Sequence, residues 1–210
     1  MGRRLSQTRG AVSRVAKNRP TATRLLIVCG AEGTEPNYIS GLNRHLRSPA
    51  VQVKVLEKGR APAQVVKFGV KMAEIAERRG EGYDRLWCVV DVDQFDDHDA
   101  ACRKAAAQST PATHVVISNP CFELWLLLHF KDIRRALASY TDVRPHLDKQ
   151  LPGYDKTVDF AARYPDAVRR AQALEPTGTE WRTNPSTAMW RLVEARGGCA
   201  CCPGIHASPA

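Results

Sequence analysis

Two carboxylates follow a short apolar run near the middle of the chain. Trp87-Cys-Val-Val leads directly into Asp91, and Asp93 comes two residues later. Such a run between polar segments is typical of a strand that is buried on both faces. In an open α/β sheet, ligands gather beyond the carboxyl ends of these strands, where two carboxylates offer the hard oxygen atoms that Mg²⁺ prefers. The spacing alone allows two interpretations: a metal site, or an acidic loop that caps the next helix, which is the commoner role of such acids.

The elements that must position this pair are strands and helices in alternation. Apolar, β-branched runs predict four strands, and apolar residues at helical spacing predict the helices between them. This alternation predicts right-handed crossovers and a mainly parallel four-stranded sheet with flanking helices, an α/β fold. The predicted strands are 25–29, 51–55, 86–90 and 113–118, and the predicted helices are 34–46, 63–79 and 99–108.

An almost wholly apolar segment, 119–130, follows the fourth predicted strand. We expect Asn119 to be the N-cap of a helix and Pro120 to occupy its first turn. Because the helix is apolar nearly all round, it is expected to be buried, and Glu123 and His129 are its two polar exceptions. A buried carboxylate must be paired, protonated or bound to a metal, and we expect Glu123 to belong to a site. His129 is expected to be a core histidine whose hydrogen bonds are satisfied.

The last third of the chain has no strand signals. Helices are predicted near 132–140, 143–150 and 156–174, and a further helix is predicted over 186–194 after Asn184-Pro185. Residues 197–210 are rich in Gly, Pro and Ala, and this composition predicts a flexible tail. The tail holds Cys199, Cys201, Cys202 and His206, which are potential zinc ligands, but it lacks a paired Cys-x-x-Cys framework.

The length and composition of the chain limit the class of protein that it can be. A chain of 210 residues with 43% apolar and 25% charged content is large enough for one well-cored globular domain. Because there is no apolar stretch of membrane-spanning length and no secretory leader, we expect a cytoplasmic protein without a membrane partner. Seven cysteines, several of them in apolar contexts, indicate free thiols in a reducing compartment.

The positive charge is concentrated at the amino terminus. The net charge is +9, and residues 1–24 hold seven bases and no acid, which leaves the rest of the chain nearly balanced. A basic arm attracts phosphate backbones without sequence preference, so we expect DNA or RNA as a partner. The alternative is a solvated terminus without a partner.

Five landmarks in this order resemble the motifs of the RloB-like (AbiLii-type) family, which is Toprim-related. They are 27–38 (Ile-Val-Cys-Gly-Ala-Glu-Gly-Thr-Glu-Pro-Asn-Tyr), 87–93, 118–130 with its distinctive Phe-Glu-Leu-Trp string, Tyr154-Asp-Lys156 and Asn184-Pro-Ser-Thr187. The resemblance implies a Toprim-like core over 24–130, in which the first strand lies between the third and fourth. It also implies a helical extension over 131–196 packed on that core, between the basic arm 1–23 and the tail 197–210.

The resemblance also implies a set of site residues. Toprim domains use a Glu after the first strand and an Asp-x-Asp after the third to bind Mg²⁺, or Mn²⁺ in its place. Family members usually have Cys-Glu-Gly-Glu where this chain has Cys29-Gly-Ala-Glu32, so Gly30 replaces the expected Glu and Glu32 is the substitute. The implied metal and catalytic residues are Glu32, Asp91 and Asp93, the site-shaping residues are Asn119 and Glu123, and the phosphate-binding residues are Lys156, Arg3 and Arg4.

The first functional hypothesis is a Toprim-type, Mg²⁺-dependent nuclease of a bacterial phage-defence (abortive infection) system. It would cut phosphodiester bonds of DNA or RNA, beside an ABC-type or OLD-like ATPase partner. The second is a catalytically disarmed subunit that binds nucleic acid or the ATPase, which Gly30 favours. A third and weaker hypothesis, a phosphotransfer receiver-like domain, fits the acids after buried strands but not the Phe-Glu-Leu-Trp helix.

Overall fold

The computed structural model describes residues 23–31, 33–46, 60–92, 95–154, 163–174 and 178–196, and the backbone of 51–55. These residues form strands and helices in alternation, as the sequence predicts. The elements are β1 (Leu25–Cys29), α1 (Thr34–His45), β2 (Val51–Val55), α2 (Pro62–Arg78), β3 (Arg85–Asp91), α3 (His98–Ala106), β4 (Ala112–Asn119), α4 (Glu123–Leu128), α5 (Tyr140–Gln150), α6 (Tyr164–Gln172), a 3-10 turn (Glu180–Arg182), β5 (Ser186–Thr187) and α7 (Met189–Ala195).

The strands form one sheet in the order β2-β1-β3-β4-β5. The first four strands are parallel, which confirms the predicted α/β class, and the short β5 adds an antiparallel edge. The expectation that the first strand lies between the third and fourth is wrong, because β1 lies between β2 and β3. The chain goes from β1 outward to β2 and then returns to β3 on the other side of β1. This reversal creates a topological switch point between β1 and β3, where α/β sheets bind ligands.

Both faces of the sheet are covered, because successive side chains of a strand point to opposite faces. Ile27 and Val89 pack with α1, α4 and the helices that follow. Val28 and Cys88 pack with α2 and α3 on the other face. The apolar runs of β1 and β3 are continuous because each strand is buried on both sides.

The expectation that Asn119 caps a helix is wrong. Asn119 is the last residue of β4, and α4 begins only at Glu123. The side chain of Asn119 donates to the carbonyl oxygens of Glu180 and Trp181, at 3.2 Å each, instead of accepting from a helix N–H. These contacts come from 61 and 62 residues away, so the local Asn-Pro pattern did not reveal them. The burial predicted for this segment is confirmed, since every residue of α4 is buried.

The helix predicted near 132–140 is also wrong. Residues 131–138 have no regular secondary structure. The side-chain amide of Asn184 accepts from the N–H of Leu137 at 2.9 Å and donates to its carbonyl at 2.8 Å, which satisfies both backbone groups without a helix. Ile133 and Leu137 are buried four residues apart, and that spacing gave the false helical signal.

Residues 186–194 are not one helix as predicted. Ser186 and Thr187 form β5, which pairs with the end of β4, and α7 follows from Met189. Ser186 and Thr187 are held by hydrogen bonds to the carbonyl of Glu180 and to the hydroxyl of Ser118. Pro145 lies inside α5 and does not separate two helices there. In the described ranges no helix is long and apolar enough to cross a membrane.

Candidate functional site

Asp91 is the last residue of β3, the central strand of the sheet. Its backbone is held from two sides, because the ring of His98 donates to the Asp91 carbonyl at 3.0 Å and the next N–H, that of Val92, donates to Ser118 at 3.0 Å. Trp87 and Val89 face α1 and α4, so the alternation of the strand places the Asp91 side chain on that same face. The side chain is partly buried at the carboxyl edge of the sheet.

The pKa values of two buried thiols show which carboxylates lie near Asp91. Burial raises the pKa of Cys29 strongly, and Glu35, Cys88 and Asp91 raise it further. Burial likewise raises the pKa of Cys121, with Glu123 as the next contributor and Asp91 after it. Both thiols are therefore protonated at neutral pH and chemically inert. The four described cysteines are all free thiols, as predicted.

Glu35 is a member of this edge that the sequence analysis missed. It lies in the first turn of α1 and is only 4% exposed. The signal was present, since Glu35 precedes the apolar stripe Tyr38 and Leu42 at helical spacing and therefore lies on the buried face of α1. A carboxylate is also favoured at a helix amino terminus by the helix dipole.

Glu123 lies beside the start of α1. Thr34 donates its hydroxyl to Glu123 Oε1 at 3.1 Å, and both side chains are buried. Tyr154, from the Tyr-Asp-Lys landmark, joins them. Burial raises the pKa of its phenol and the carboxylates of Glu123 and Glu35 raise it too, whereas a hydrogen bond with Thr34 opposes them. In the sequence, Tyr154 is only part of a landmark, and Thr34 is only the first residue of a predicted helix.

Asn119 positions the chain that closes this end of the sheet. In addition to its two bonds to the Glu180–Arg182 turn, its Oδ1 accepts from Asn184 at 3.1 Å. The two Asn-Pro landmarks of the sequence therefore contact each other directly. Asn119 is 6% exposed, so its role in the described structure is to hold backbone segments together.

Carboxylate oxygens are the type of ligand that Mg²⁺ prefers, but few candidate ligands lie among the described residues. Among the described residues, no three Cys, His, Asp or Glu side chains form a group that could hold a metal ion. Mg²⁺ is usually bound by only one or two carboxylates and keeps several waters, so Asp91 with one further acid satisfies its chemistry. The other residues implied by the resemblance, which are Glu32, Asp93, Lys156, Arg3 and Arg4, lie outside the described residues.

Gly30, which replaces the expected Glu, continues β1 by one residue. Its N–H donates to the carbonyl of Val89 at 2.9 Å. A Cβ atom built there would meet Val65 Cγ2 and the Val89 oxygen at 3.4 Å, which is ordinary van der Waals contact. The position can therefore carry a side chain, and neither conformation nor crowding explains why it is a glycine.

His129 is the satisfied core histidine that the sequence predicted. Its Nδ1–H donates to the carbonyl of Trp125 at 2.9 Å, so its Nε2 accepts from the hydroxyl of Tyr38 at 3.0 Å. Burial is the main cause that lowers its pKa to about 4, and the histidine is neutral at pH 7.

The fold and the residues at the carboxyl edge of the sheet define the class of protein. It is an α/β protein with a mainly parallel sheet, whose central strand ends in a carboxylate at the topological switch point. A family model described as RloB-like protein matches residues 25–195. The chain belongs to the RloB-like family, which confirms the resemblance found in its motifs. No curated protein and no solved structure matches the chain.

Proposed function

We propose that this chain is a Toprim-type, Mg²⁺-dependent nuclease of a bacterial phage-defence system. The observation that carries the proposal is the position of Asp91, at the end of the central strand and beside the β1/β3 switch point. Ligands of open α/β sheets bind at this place, and a carboxylate there suits a metal that holds a phosphodiester. Mn²⁺ would serve in place of Mg²⁺.

Asp91 would hold the ion together with Asp93 and Glu32. When bound, the ion would supply neutralisation of the charge on the phosphodiester and its leaving oxygen. Glu32 would also act as general acid or base. Thr34 would fix the carboxylate of Glu123 by its hydrogen bond, and Asn119 would keep the closing segments in place.

The nucleic acid would be attracted by charge before it is positioned. Arg3 and Arg4 belong to a segment with seven bases and no acid, which favours phosphate backbones of DNA or RNA. Lys156 would neutralise a phosphate nearer the site.

A cleavage assay tests this proposal. Purified full-length protein is incubated with plasmid, single-stranded DNA and tRNA in Mg²⁺, Mn²⁺ or chelator. We expect metal-dependent cutting that Asp91→Asn lowers by at least about a hundredfold, since removing a single transition-state charge contact costs on this order. Asp96→Asn, an exposed acid of the same loop, is the matched control and should cut like the unchanged protein. Equal cutting by Asp91→Asn would contradict the proposal.

Gly30 favours a second candidate, a disarmed subunit that binds nucleic acid or an ATPase without cutting. The backbone tolerates a side chain at this position, so Gly30→Glu should fold, and Gly30→Gln is its uncharged control of equal size. A chain that binds nucleic acid but does not cut, and that gains metal-dependent cutting only as Gly30→Glu, would support the second candidate over the first.

The defence role and the ATPase partner, ABC-type or OLD-like, come to this chain through the family resemblance. Phage should form fewer plaques on a bacterial host that carries the chain with its partner. We expect Asp91→Asn to restore plaque formation, because a defence that depends on cutting requires the metal ligand. Protection that persists with Asp91→Asn would place the defence outside the nuclease chemistry.

A further inference from the structure

A second concave site lies at the edge of β4, away from the carboxylates at the strand ends. Its volume is about 260 Å³. β5 pairs only with Ser118 and Asn119, so the amino-terminal half of β4 borders this pocket in the described part of the chain. The lining residues that matter here are Trp87, Ala106, His114, Glu180, Trp181 and Arg191. None of them belongs to the cluster around Asp91.

One residue that lines the pocket has a buried donor that lacks an acceptor. Trp87 is 5% exposed, and within the described structure its indole N–H has no hydrogen-bond partner. A buried N–H without a partner is destabilising, and an acceptor on a ligand would remove that cost. This donor is the independent sign that the pocket receives a polar ligand.

The pocket also contains a buried acceptor. Glu180 is 3% exposed, and its Oε1 accepts from Arg191 at 2.8 Å and from the N–H of Gly178 at 3.1 Å. A carboxylate has about four lone-pair positions, so Glu180 can accept a further hydrogen bond from a ligand. Because Glu180 already compensates the charge of Arg191, the pair favours a neutral ligand over a phosphate.

The walls are flat and aromatic. Trp87 and His114 are stacked with their ring centroids 4.4 Å apart, and Trp181 also lines the pocket. Burial lowers the pKa of His114, and Arg85 and Arg191 lower it further, so its ring is neutral. Flat neutral rings of this kind stack with heteroaromatic ligands.

We propose that this pocket binds an amino-substituted nucleobase, such as adenine or cytosine, as the free base or nucleoside. Such a base presents a ring nitrogen acceptor beside an exocyclic amino donor, which match the Trp87 indole N–H and the Glu180 carboxylate. The volume lies below the roughly 300–1,000 Å³ of clefts that hold drug-sized ligands, which limits the occupant to about one nucleoside. The site is separate from the proposed cleavage centre and does not depend on cleavage.

The test follows the indole N–H signal of Trp87 by ¹⁵N-correlated NMR of the full chain, identified with Trp87→Phe. Adenosine should shift this signal saturably. Purine riboside, which lacks the amino group, should bind at least about fivefold more weakly, because one hydrogen bond to a charged acceptor is lost. No saturable shift up to about 10 mM adenosine would overturn the proposal, as would equal affinity for the two nucleosides.

Two exposed alanines at the end of α3 provide the matched variants. Ala106 lines the pocket and Ala107 does not. Ala106→Trp should occupy part of the pocket and weaken adenosine binding at least about tenfold, whereas Ala107→Trp should leave it unchanged. Because both positions are exposed, this comparison decides the matter even if Trp87→Phe does not fold. Unchanged binding by Ala106→Trp, or equal loss in both variants, would contradict the site.

Discussion

At the scale of a single residue, the buried His129 makes the free energy of unfolding depend on pH. Its folded-state pKa of about 4 lies below the ordinary value of 6.5, so the unfolded chain takes up the proton first as the pH falls. Its contribution to stability is fully present above pH 6.5 and is lost as the pH falls towards 4. Between pH 7 and pH 5 we expect a loss of about 2 kcal/mol in the free energy of unfolding from this residue.

Urea unfolding of the unchanged chain and of His129→Gln at both pH values measures this loss. Gln keeps a donor and an acceptor for Trp125 and Tyr38 but does not titrate. The loss of stability between pH 7 and pH 5 should therefore be smaller in His129→Gln by about the same 2 kcal/mol. An equal loss in both chains would show that His129 is protonated in the folded state.

At this scale the sequence singled out Asp91 because it directly follows a short apolar run, and Glu123 because it is one of two polar exceptions in an apolar segment. Glu35 and Tyr154 were missed for different reasons. Glu35 could have been found from the sequence, because it lies one helical turn before Tyr38 on the same face of α1. Tyr154 reaches Thr34 and Glu123 only through the packing of the last third of the chain, and local spacing contains no information on that packing.

At the scale of elements, α2 lies close to the sheet at Gly69. A Cβ atom there would stand 2.9 Å from Leu86 Cδ1 and 3.3 Å from Val28 Cγ2, both of which are buried. Ala would gain about 0.5–1 kcal/mol as a better helix former, but overpacking costs about 1–3 kcal/mol. We expect Gly69→Ala to lower the free energy of unfolding by roughly 1–2 kcal/mol.

Chemical denaturation checks this value. Lys71→Ala, on an exposed position of the same helix, is the control and should change stability by less than about 0.5 kcal/mol. If Gly69→Ala stabilises the chain, then α2 is not packed against Leu86 as closely as described.

The four parallel strands were predicted to within about a residue or two because their apolar runs are continuous and bounded by polar turns. β5 and the irregular residues 131–138 were not predicted. Asn184 satisfies the backbone N–H and carbonyl of Leu137 from 47 residues away, and the Thr187 hydroxyl of β5 bonds to that of Ser118 from 69 residues away. Elements that are held by long-range side-chain hydrogen bonds leave no periodic signal.

At the scale of the whole molecule, the basic arm predicts a salt effect. Residues 1–22 hold six bases, and each base that contacts a phosphate adds about 0.9 to the slope of log affinity against log salt for duplex DNA. Replacing these six bases with Gln should weaken binding and lower the slope by up to about 5. Fluorescence anisotropy over a salt series measures both quantities, and an unchanged slope would mean that the arm does not contact nucleic acid.

The order of the strands could not be predicted from the sequence alone. Alternating strands and helices specify a parallel sheet but allow several orders, and the one that we expected from the resemblance was wrong. Both orders place β1 beside β3, and the observed order also places β4 on the other side of β3. The ends of β1 and β4, which lead to Gly30 and Glu123, therefore both flank the end of β3 at Asp91 although the topology differs.

The most direct test of the account is the affinity of the full chain for Mn²⁺, measured by electron paramagnetic resonance of the free ion. We predict saturable binding that Asp91→Asn weakens at least about tenfold, or 1.4 kcal/mol, and that Asp96→Asn leaves unchanged. Mn²⁺ binding of equal affinity in the unchanged chain and in Asp91→Asn would contradict a metal site at the end of β3.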